Sequence, residues 1–310
     1  MAIGYGALSF AGVGAACYWL RRVRQQAALL GVSAAFIFAA QMVNFPIAAG
    51  TSGHLLGGAL LVALLGLPGA VVVLSSVLFV QCFVFGDGGV FALGANVFNM
   101  GIVSSVVGFC CYRLLCGSAP SPTRRVAAVA FASWLATVAA AASCAEQLAL
   151  SETARWSFVM PAMLGVHALI GIGEAVITAT VVAAVLRFRP ELLGNQRELP
   201  ESAERSRWLV LHGLGLSLAV AVLLAPIAYG APDGLASVAA DLGFQSAERA
   251  ALAAPLAEYG IPGLSSGLLT TLLAGAFGTL LLFGACWLLA LGLVPRTPKA
   301  PAAGIVVESS

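Results

Sequence analysis

Residues 25–86 read QQAALLGVSAAFIFAAQMVNFPIAAGTSGHLLGGALLVALLGLPGAVVVLSSVLFVQCFVFG, 62 consecutive positions without Asp, Glu, Lys or Arg. A helix needs about 20 apolar residues to cross the hydrocarbon core of a bilayer, which is about 30 Å thick. Further uncharged runs cover 1–20, 88–112, 126–145, 208–232 and 259–295. The sequence therefore predicts an all-α polytopic membrane protein.

The composition excludes several classes of function. Only 9% of the 310 residues are charged, against roughly 25% in soluble domains, so a soluble enzyme or a disulfide scaffold is excluded. A net charge of +2 with Lys299 as the single lysine provides no basic patch, and we expect no nucleic-acid partner. The sequence has no P-loop. We therefore expect no ATP hydrolysis by this chain, no enzyme activity and no bound cofactor.

Turn-forming residues divide the long uncharged stretch at Asn44-Phe45-Pro46, at Gly-Thr-Ser-Gly (50–53) and at Leu67-Pro68-Gly69. These divisions predict a seven-helix bundle followed by a two-helix unit. The bundle helices lie near 2–20, 28–47, 54–66, 69–85, 89–114, 124–148 and 158–187. The helices of the two-helix unit lie near 208–229 and 267–291. Because 54–66 is too short to cross the membrane upright, we expect that helix to be buried among the others.

The charged residues predict the domains and the orientation. Residues 1–187 form the bundle, the polar segment 188–207 a cytoplasmic linker, 208–295 the two-helix unit and 296–310 a cytoplasmic tail. Thirteen of the 15 Lys and Arg residues fall on one side of these spans, and Arg155 and Arg249 on the other. By the positive-inside rule, the N-terminus lies outside and the C-terminus in the cytoplasm. The loops at 50–54, 87–89, 151–156 and 230–266 then face outward.

His54 is the first candidate metal ligand, because it is placed on an outward loop at the start of a helix. A neutral imidazole there is a good ligand for nickel, cobalt, copper or zinc. The alternative is a histidine that caps or packs.

Five nearby polar residues could orient His54 by hydrogen bonds: Gln41, Asn44, Asp87, Asn96 and Asn99. Each also has a simpler explanation. Asp87 could cap the following helix, and the amides could pair helices.

His167 and Glu174 are seven residues apart and so share one face of the 158–187 helix. A glutamate inside a membrane helix either meets a cation or takes part in a polar network. We expect the network, because Glu174 is placed nearer the cytoplasmic half. Separately, Gly31, Ala35 and Ala39 form a stripe of small residues at which another helix could pack closely. It is either a docking face for a partner protein or packing inside the bundle.

Three motifs together resemble one transporter family: Gly-Thr-Ser-Gly-His (50–54), Phe-Gly-Asp-Gly-Gly (85–89) and Gly-Ala-Asn-Val-Phe-Asn-Met (94–100). They are similar to the CbiM/NikM family of substrate-capture subunits of energy-coupling-factor transporters for cobalt and nickel, and the likeness extends over 1–187. Segments 231–235 and 259–263 resemble the PDGLE-type two-helix small component, fused here at the C-terminus.

The resemblance implies an ATP-driven importer of the bacterial or archaeal cell membrane, with nickel favoured over cobalt. The implied partners are a transmembrane coupling subunit and a pair of ABC ATPases. The Gly31/Ala35/Ala39 stripe would be the docking face for the coupling subunit. The family's loop histidine corresponds to His54, and its other ligands come from a Met-His start. This chain begins Met-Ala-Ile-Gly, so we expect the encoding sequence to continue upstream to such a start.

Two other functions remain open at this point. One is a permease that acts alone, coupled to ions or protons through Glu174 and His167. The other is an intramembrane metalloenzyme, which requires His54, His167 and Glu174 to converge. Sequence places His54 outside and Glu174 deep, which argues against that convergence.

Overall fold

The computed structural model describes residues 2–23, 26–47, 51–118, 120–193, 203–245 and 254–294, and it is predominantly helical in these ranges. The α-helices are α1 (Ala2–Leu20), α2 (Ala27–Gln41), α3 (Gly58–Val80), α4 (Leu93–Asn96), α5 (Ser104–Cys116), α6 (Pro122–Leu150), α7 (Trp156–Phe188), α8 (Ala203–Ala219), α9 (Gly234–Leu242) and α10 (Gly267–Leu293). Two short strands, β1 (Phe45–Pro46) and β2 (Ser52–Gly53), pair antiparallel.

Six helical stretches in the described ranges are long and apolar enough to cross a membrane. They are Gly58–Phe85, Leu93–Cys116, Pro122–Leu150, Trp156–Phe188, Ser206–Ile227 and Gly267–Leu293. Some of them contain π-helical turns, such as Val97–Val103 between α4 and α5. The predicted all-α membrane fold is confirmed.

The chain reverses direction within α3. Gly66 has φ 72° and ψ 174°, outside the helical region, and Pro68 cannot donate a backbone hydrogen bond to the preceding turn. The Gln41 amide bonds both to Leu56 O, at 3.2 Å, and to the Gln81 side chain, at 2.9 Å. A straight 23-residue helix would separate its two ends by about 35 Å. The predicted separate spans 54–66 and 69–85 are therefore the two arms of one interrupted helix.

Several predicted helix boundaries are wrong around this hairpin. The helix predicted over 28–47 ends at Gln41, because Phe45 and Pro46 pair with the strand before His54. The helix predicted to start at residue 54 starts at Gly58. His54 and Asn44 thus both lie in irregular segments beside the sheet.

The next helix and the first helix of the C-terminal unit also have different boundaries. The predicted span 89–114 begins at Leu93, with Ala92 at its N-cap position, so Asp87 does not cap it. The predicted span 208–229 begins at Ala203, within the predicted linker, and its α-helical part ends at Ala219. Residues 194–202 of that linker and the tail from 295 onward lie outside the described residues.

The C-terminal unit packs on the bundle through α10 and α2. A Cβ added at Gly31 would lie 2.9 Å from Phe283 O, and one added at Gly278 would lie 2.2 Å from Phe38 Cζ. The two helices therefore approach closely at glycines, as membrane helices commonly do.

This packing contradicts the docking role expected for the small-residue stripe. Gly31 contacts α10, and Ala35 and Ala39 are fully buried. In this fold the stripe is covered by the chain's own helices, so it offers no surface to a coupling subunit.

Candidate metal-binding cavity

The sequence-predicted polar residues meet at one cavity of about 620 Å³. It lies among the loop before α3, the helices α6 and α7, and the segments of the C-terminal unit between α8 and α10. Its lining includes His54, Gln41, Asn44, Asp87, Asn96, Asn99 and His167. Glu174 is not among the lining residues.

His54 lies between β2 and α3, half-buried. Its Nδ1 is 3.3 Å from the carbonyl oxygen of Leu55. When Nδ1 carries the proton and faces this carbonyl, the lone pair on Nε2 is available to a metal ion. A single neutral imidazole in a polar cavity is a suitable ligand for a divalent transition metal.

Two buried side chains hold the peptide group that joins Leu56 to Gly57. Gln41 Nε2 donates to Leu56 O at 3.2 Å, and Glu174 Oε1 accepts from Gly57 N at 2.9 Å. Gly57 has φ 85°, a conformation that favours glycine. The loop that carries His54 is therefore fixed to α2 on one side and to α7 on the other.

Glu174 lies closer to His54 than the sequence indicated. Its carboxylate also accepts a hydrogen bond from Thr137 on α6, and the side chain is 1% exposed. The hydrogen bonds of Glu174 connect it to the backbone after His54 and to Thr137, and not to His167, with which a network was predicted.

Asn99 pairs helices rather than orienting His54. Its Nδ2 donates to Gln147 Oε1 at 3.0 Å, and its Oδ1 accepts from Gln147 Nε2 at 2.7 Å. Asn96 Nδ2 donates to Gly88 O at 3.2 Å. Both amides line the cavity, yet these bonds connect them to α6 and to the 86–89 turn.

Asp87 bonds to the C-terminal unit. Tyr259 OH donates to Asp87 Oδ2 at 2.9 Å, and the Tyr259 ring stacks on Phe85 with ring centroids 4.7 Å apart. Burial and the neighbouring Asp87 carboxylate raise the pKa of Tyr259 well above its ordinary value. The phenol is the donor of this hydrogen bond, and the Asp87 carboxyl group is the acceptor.

His167 presents a second imidazole to the cavity. Its Nδ1 is 2.8 Å from Met163 O, which again leaves Nε2 as the available nitrogen. A Cβ added at Gly234 would lie 3.1 Å from His167 Nε2, so the start of α9 closes over this ring. Asp233 and His54 both interact electrostatically with it.

The C-terminal unit also contributes to this cavity, which was not predicted from the sequence. Tyr229, Asp233, Glu258 and Tyr259 all line it. The segment before α9 also binds β2, since Ser52 N donates to Pro232 O and Ser52 Oγ to Ala231 O, each at 2.8 Å. The motif at 231–235 was the available signal, but sequence alone does not show that it folds back over the loop of His54.

The described side chains of this cavity do not form a closed metal-ligand set. Within the described ranges, no group of three or more His, Cys, Asp or Glu side chains is arranged to hold a metal ion. The convergence of His54, His167 and Glu174 that a metalloenzyme requires is therefore absent from the described residues. The lining contains two imidazoles, of His54 and His167, and the carboxyl groups of Asp87, Asp233 and Glu258.

Two family models match the chain. Residues 1–192 match the cobalt uptake substrate-specific transmembrane region, CbiM, and residues 207–294 match the PDGLE domain. The order of the two matches corresponds to the bundle and the unit that closes over it.

Curated proteins and solved structures agree with these matches. A putative fused nickel transport protein, NikMN, of Archaeoglobus fulgidus is 37% identical over 88% of this chain and 89% of its own. The fused nickel transport protein NikMN of Rhodobacter capsulatus is 34% identical over 66% of this chain and 64% of its own. A crystal structure of a truncated transition metal transporter covers 60% of this chain and 93% of its own, with a TM-score of 0.53 at 31% identity.

The fold, the cavity and these likenesses agree on a multi-pass membrane component of nickel or cobalt transport. The chain belongs to the CbiM family of cobalt uptake substrate-specific transmembrane proteins and carries a PDGLE domain at its C-terminus.

Proposed function

We propose that this chain is the substrate-capture component of an energy-coupling-factor importer, and that it takes up Ni²⁺ or Co²⁺ from outside the cell. The observation that carries this proposal is the position of His54. Its imidazole lines a cavity together with His167 and the carboxylate of Asp233, at the end of the bundle that the positive-inside rule places outside.

Nickel is the favoured substrate. The fused relatives from Archaeoglobus fulgidus, Lactiplantibacillus plantarum and Rhodobacter capsulatus are all named as nickel transport proteins. Nitrogen ligands also suit Ni²⁺, which accepts square-planar sets of them.

The energy for import comes from separate subunits in this proposal. The sequence has no nucleotide-binding motif. In this proposal a pair of ABC ATPases hydrolyses ATP, and a transmembrane coupling subunit transmits the resulting conformational change to this chain. The coupling subunit binds a surface other than the Gly31/Ala35/Ala39 stripe, because Gly31 packs against α10 and Ala35 and Ala39 are buried.

A permease that acts alone is less well supported. Its proton relay requires Glu174 and His167 to exchange a proton, whereas Glu174 is engaged with Gly57 and Thr137 and does not line the cavity with His167.

Uptake of radiolabelled Ni²⁺ distinguishes a component of an ATP-driven importer from a permease that acts alone. Cells that express this chain with its coupling subunit and ATPases should accumulate nickel, and uptake should fall to background when the ATPases are inactivated. Uptake that survives loss of the ATPases but stops with a protonophore would support the permease instead.

A further inference from the structure

We propose that Glu174 is a positioning residue for metal capture: its carboxylate fixes the loop after His54 and so determines where the His54 imidazole lies in the cavity. This inference rests on the proposed function, in which His54 is a metal ligand. Glu174 itself does not touch the ion, because it lies outside the cavity lining.

The Glu174 carboxyl group is surrounded by hydrogen-bond donors. Glu174 Oε1 accepts from Gly57 N at 2.9 Å, and Thr137 on α6 donates to Oε2. Both of these bonds point toward the carboxylate. A buried carboxylate is stable only when it is compensated in this way.

The Glu174 carboxyl group also lies at the start of α3. Gly57 is the N-cap residue of that helix, so Glu174 on α7 occupies the place at which an anion is favoured by free N–H groups and the helix dipole. The first arm of α3 runs only from Gly58 to the break at Gly66. A segment this short has little helical stability of its own, so the cap from Glu174 matters for where it starts.

The peptide group between Leu56 and Gly57 is also held from its other side. Gln41 Nε2 donates to Leu56 O, while Glu174 accepts from the adjoining Gly57 N–H. At the other end of the loop, both Ser52 N and Ser52 Oγ bond to the C-terminal unit. His54 is thus the centre of a loop that is fixed two residues before and two residues after it.

The experiment compares Glu174→Leu and the isosteric Glu174→Gln in the full chain. Glu146→Gln is the matched control, because Glu146 is an exposed carboxylate on the neighbouring helix α6. The first readout is hydrogen–deuterium exchange at the backbone of Leu56 and Gly57. The second is uptake of radiolabelled Ni²⁺ in cells with the partner subunits, measured also for His54→Ala and for the Glu174→Leu/His54→Ala double variant.

We expect the Gly57 amide to exchange about tenfold faster in Glu174→Leu, since its buried hydrogen-bond acceptor is lost, and to be unchanged in Glu146→Gln. Nickel uptake should fall to the His54→Ala level in Glu174→Leu and should recover partly in Glu174→Gln, which keeps an acceptor oxygen. The double variant should be no worse than His54→Ala alone, because Glu174 acts through His54.

Two results would overturn the inference. Unchanged exchange in Glu174→Leu would mean that the carboxylate does not hold the loop, and faster exchange with full nickel uptake would mean that holding the loop does not matter for capture. Glu174→Gln keeps the shape of the side chain and decides the question if Glu174→Leu does not fold. Full uptake by His54→Ala would instead contradict the proposed function, and the exchange data would still test the loop.

Discussion

At the scale of single residues, Gly57 makes the loop of His54 possible. Its φ of 85° is a conformation that side chains rarely adopt, and a Cβ there would lie 2.4 Å from Ile37 Cδ1. We therefore predict that Gly57→Ala lowers the free energy of unfolding by about 1–3 kcal/mol. The thermal midpoint of the purified protein in detergent measures this.

Gly284→Ala is the control for that substitution, because a Cβ added there meets nothing within 4 Å and its backbone is helical. Alanine stabilises a helix relative to glycine, so this midpoint should stay the same or rise. Equal midpoints for the wild type and Gly57→Ala would show that the loop adapts without strain.

Sequence predicted some of these residues for good physical reasons. His54 and Asp87 each lie beside glycines in a loop between apolar runs. The predicted membrane orientation places both loops on the outward side, where the two side chains can face one cavity. For Glu174, the sequence shows only that an ionisable side chain lies in a membrane helix, where its burial costs free energy. It does not show which groups compensate that cost. The partner of Glu174, the backbone at Gly57, is 117 positions away in the chain, and no local pattern encodes a contact of that kind.

At the scale of helices, the reversal within α3 could be predicted and the ends of α2 and α3 could not. Gly66 and Pro68 interrupt the helix at their own positions, so the sequence around them is enough to predict the break. The end of α2 at Gln41, by contrast, depends on the pairing of Phe45–Pro46 with Ser52–Gly53. Residues 42–47 are largely apolar, so the sequence alone predicts that the helix continues through them.

The contact between α10 and α2 gives a prediction at this scale. A side chain at Gly278 would collide with Phe38 and Phe85, since its Cβ alone would be 2.2 Å and 2.8 Å from their Cζ atoms. Gly278→Leu should therefore push α10 away and lower the thermal midpoint, with a destabilisation of about 1–3 kcal/mol.

Gly284→Leu places the same side chain on the same helix where no atom lies within 4 Å, and should leave the midpoint near that of the wild type. If both variants unfold at the same temperature as the wild type, α10 does not pack on α2 as described.

At the scale of the whole molecule, the C-terminal unit closes over the cavity of the bundle. Tyr259 is the clearest link between the two, with its ring stacked on Phe85 and its hydroxyl bonded to Asp87. Tyr259→Phe should keep the stacking on Phe85 and lose the hydrogen bond to the Asp87 carboxyl group. We predict faster hydrogen–deuterium exchange across 254–264 in this variant.

Tyr229→Phe serves as the matched control, because the Tyr229 side chain is 43% exposed and its contact with Asn44 is made through the backbone. Its exchange should match the wild type. Wild-type exchange in Tyr259→Phe as well would mean that the link to Asp87 does not hold the C-terminal unit in place.

The central claim is that His54 captures the transported ion in a cavity shared by both units. Uptake of radiolabelled Ni²⁺ by His54→Ala, in cells that contain the partner subunits, tests it most directly. His212→Ala is the control, because His212 lies exposed on α8, stacked on Trp208, away from the cavity lining. We predict background uptake for His54→Ala at wild-type membrane levels of the protein, and normal uptake for His212→Ala. Normal uptake by His54→Ala would contradict the claim.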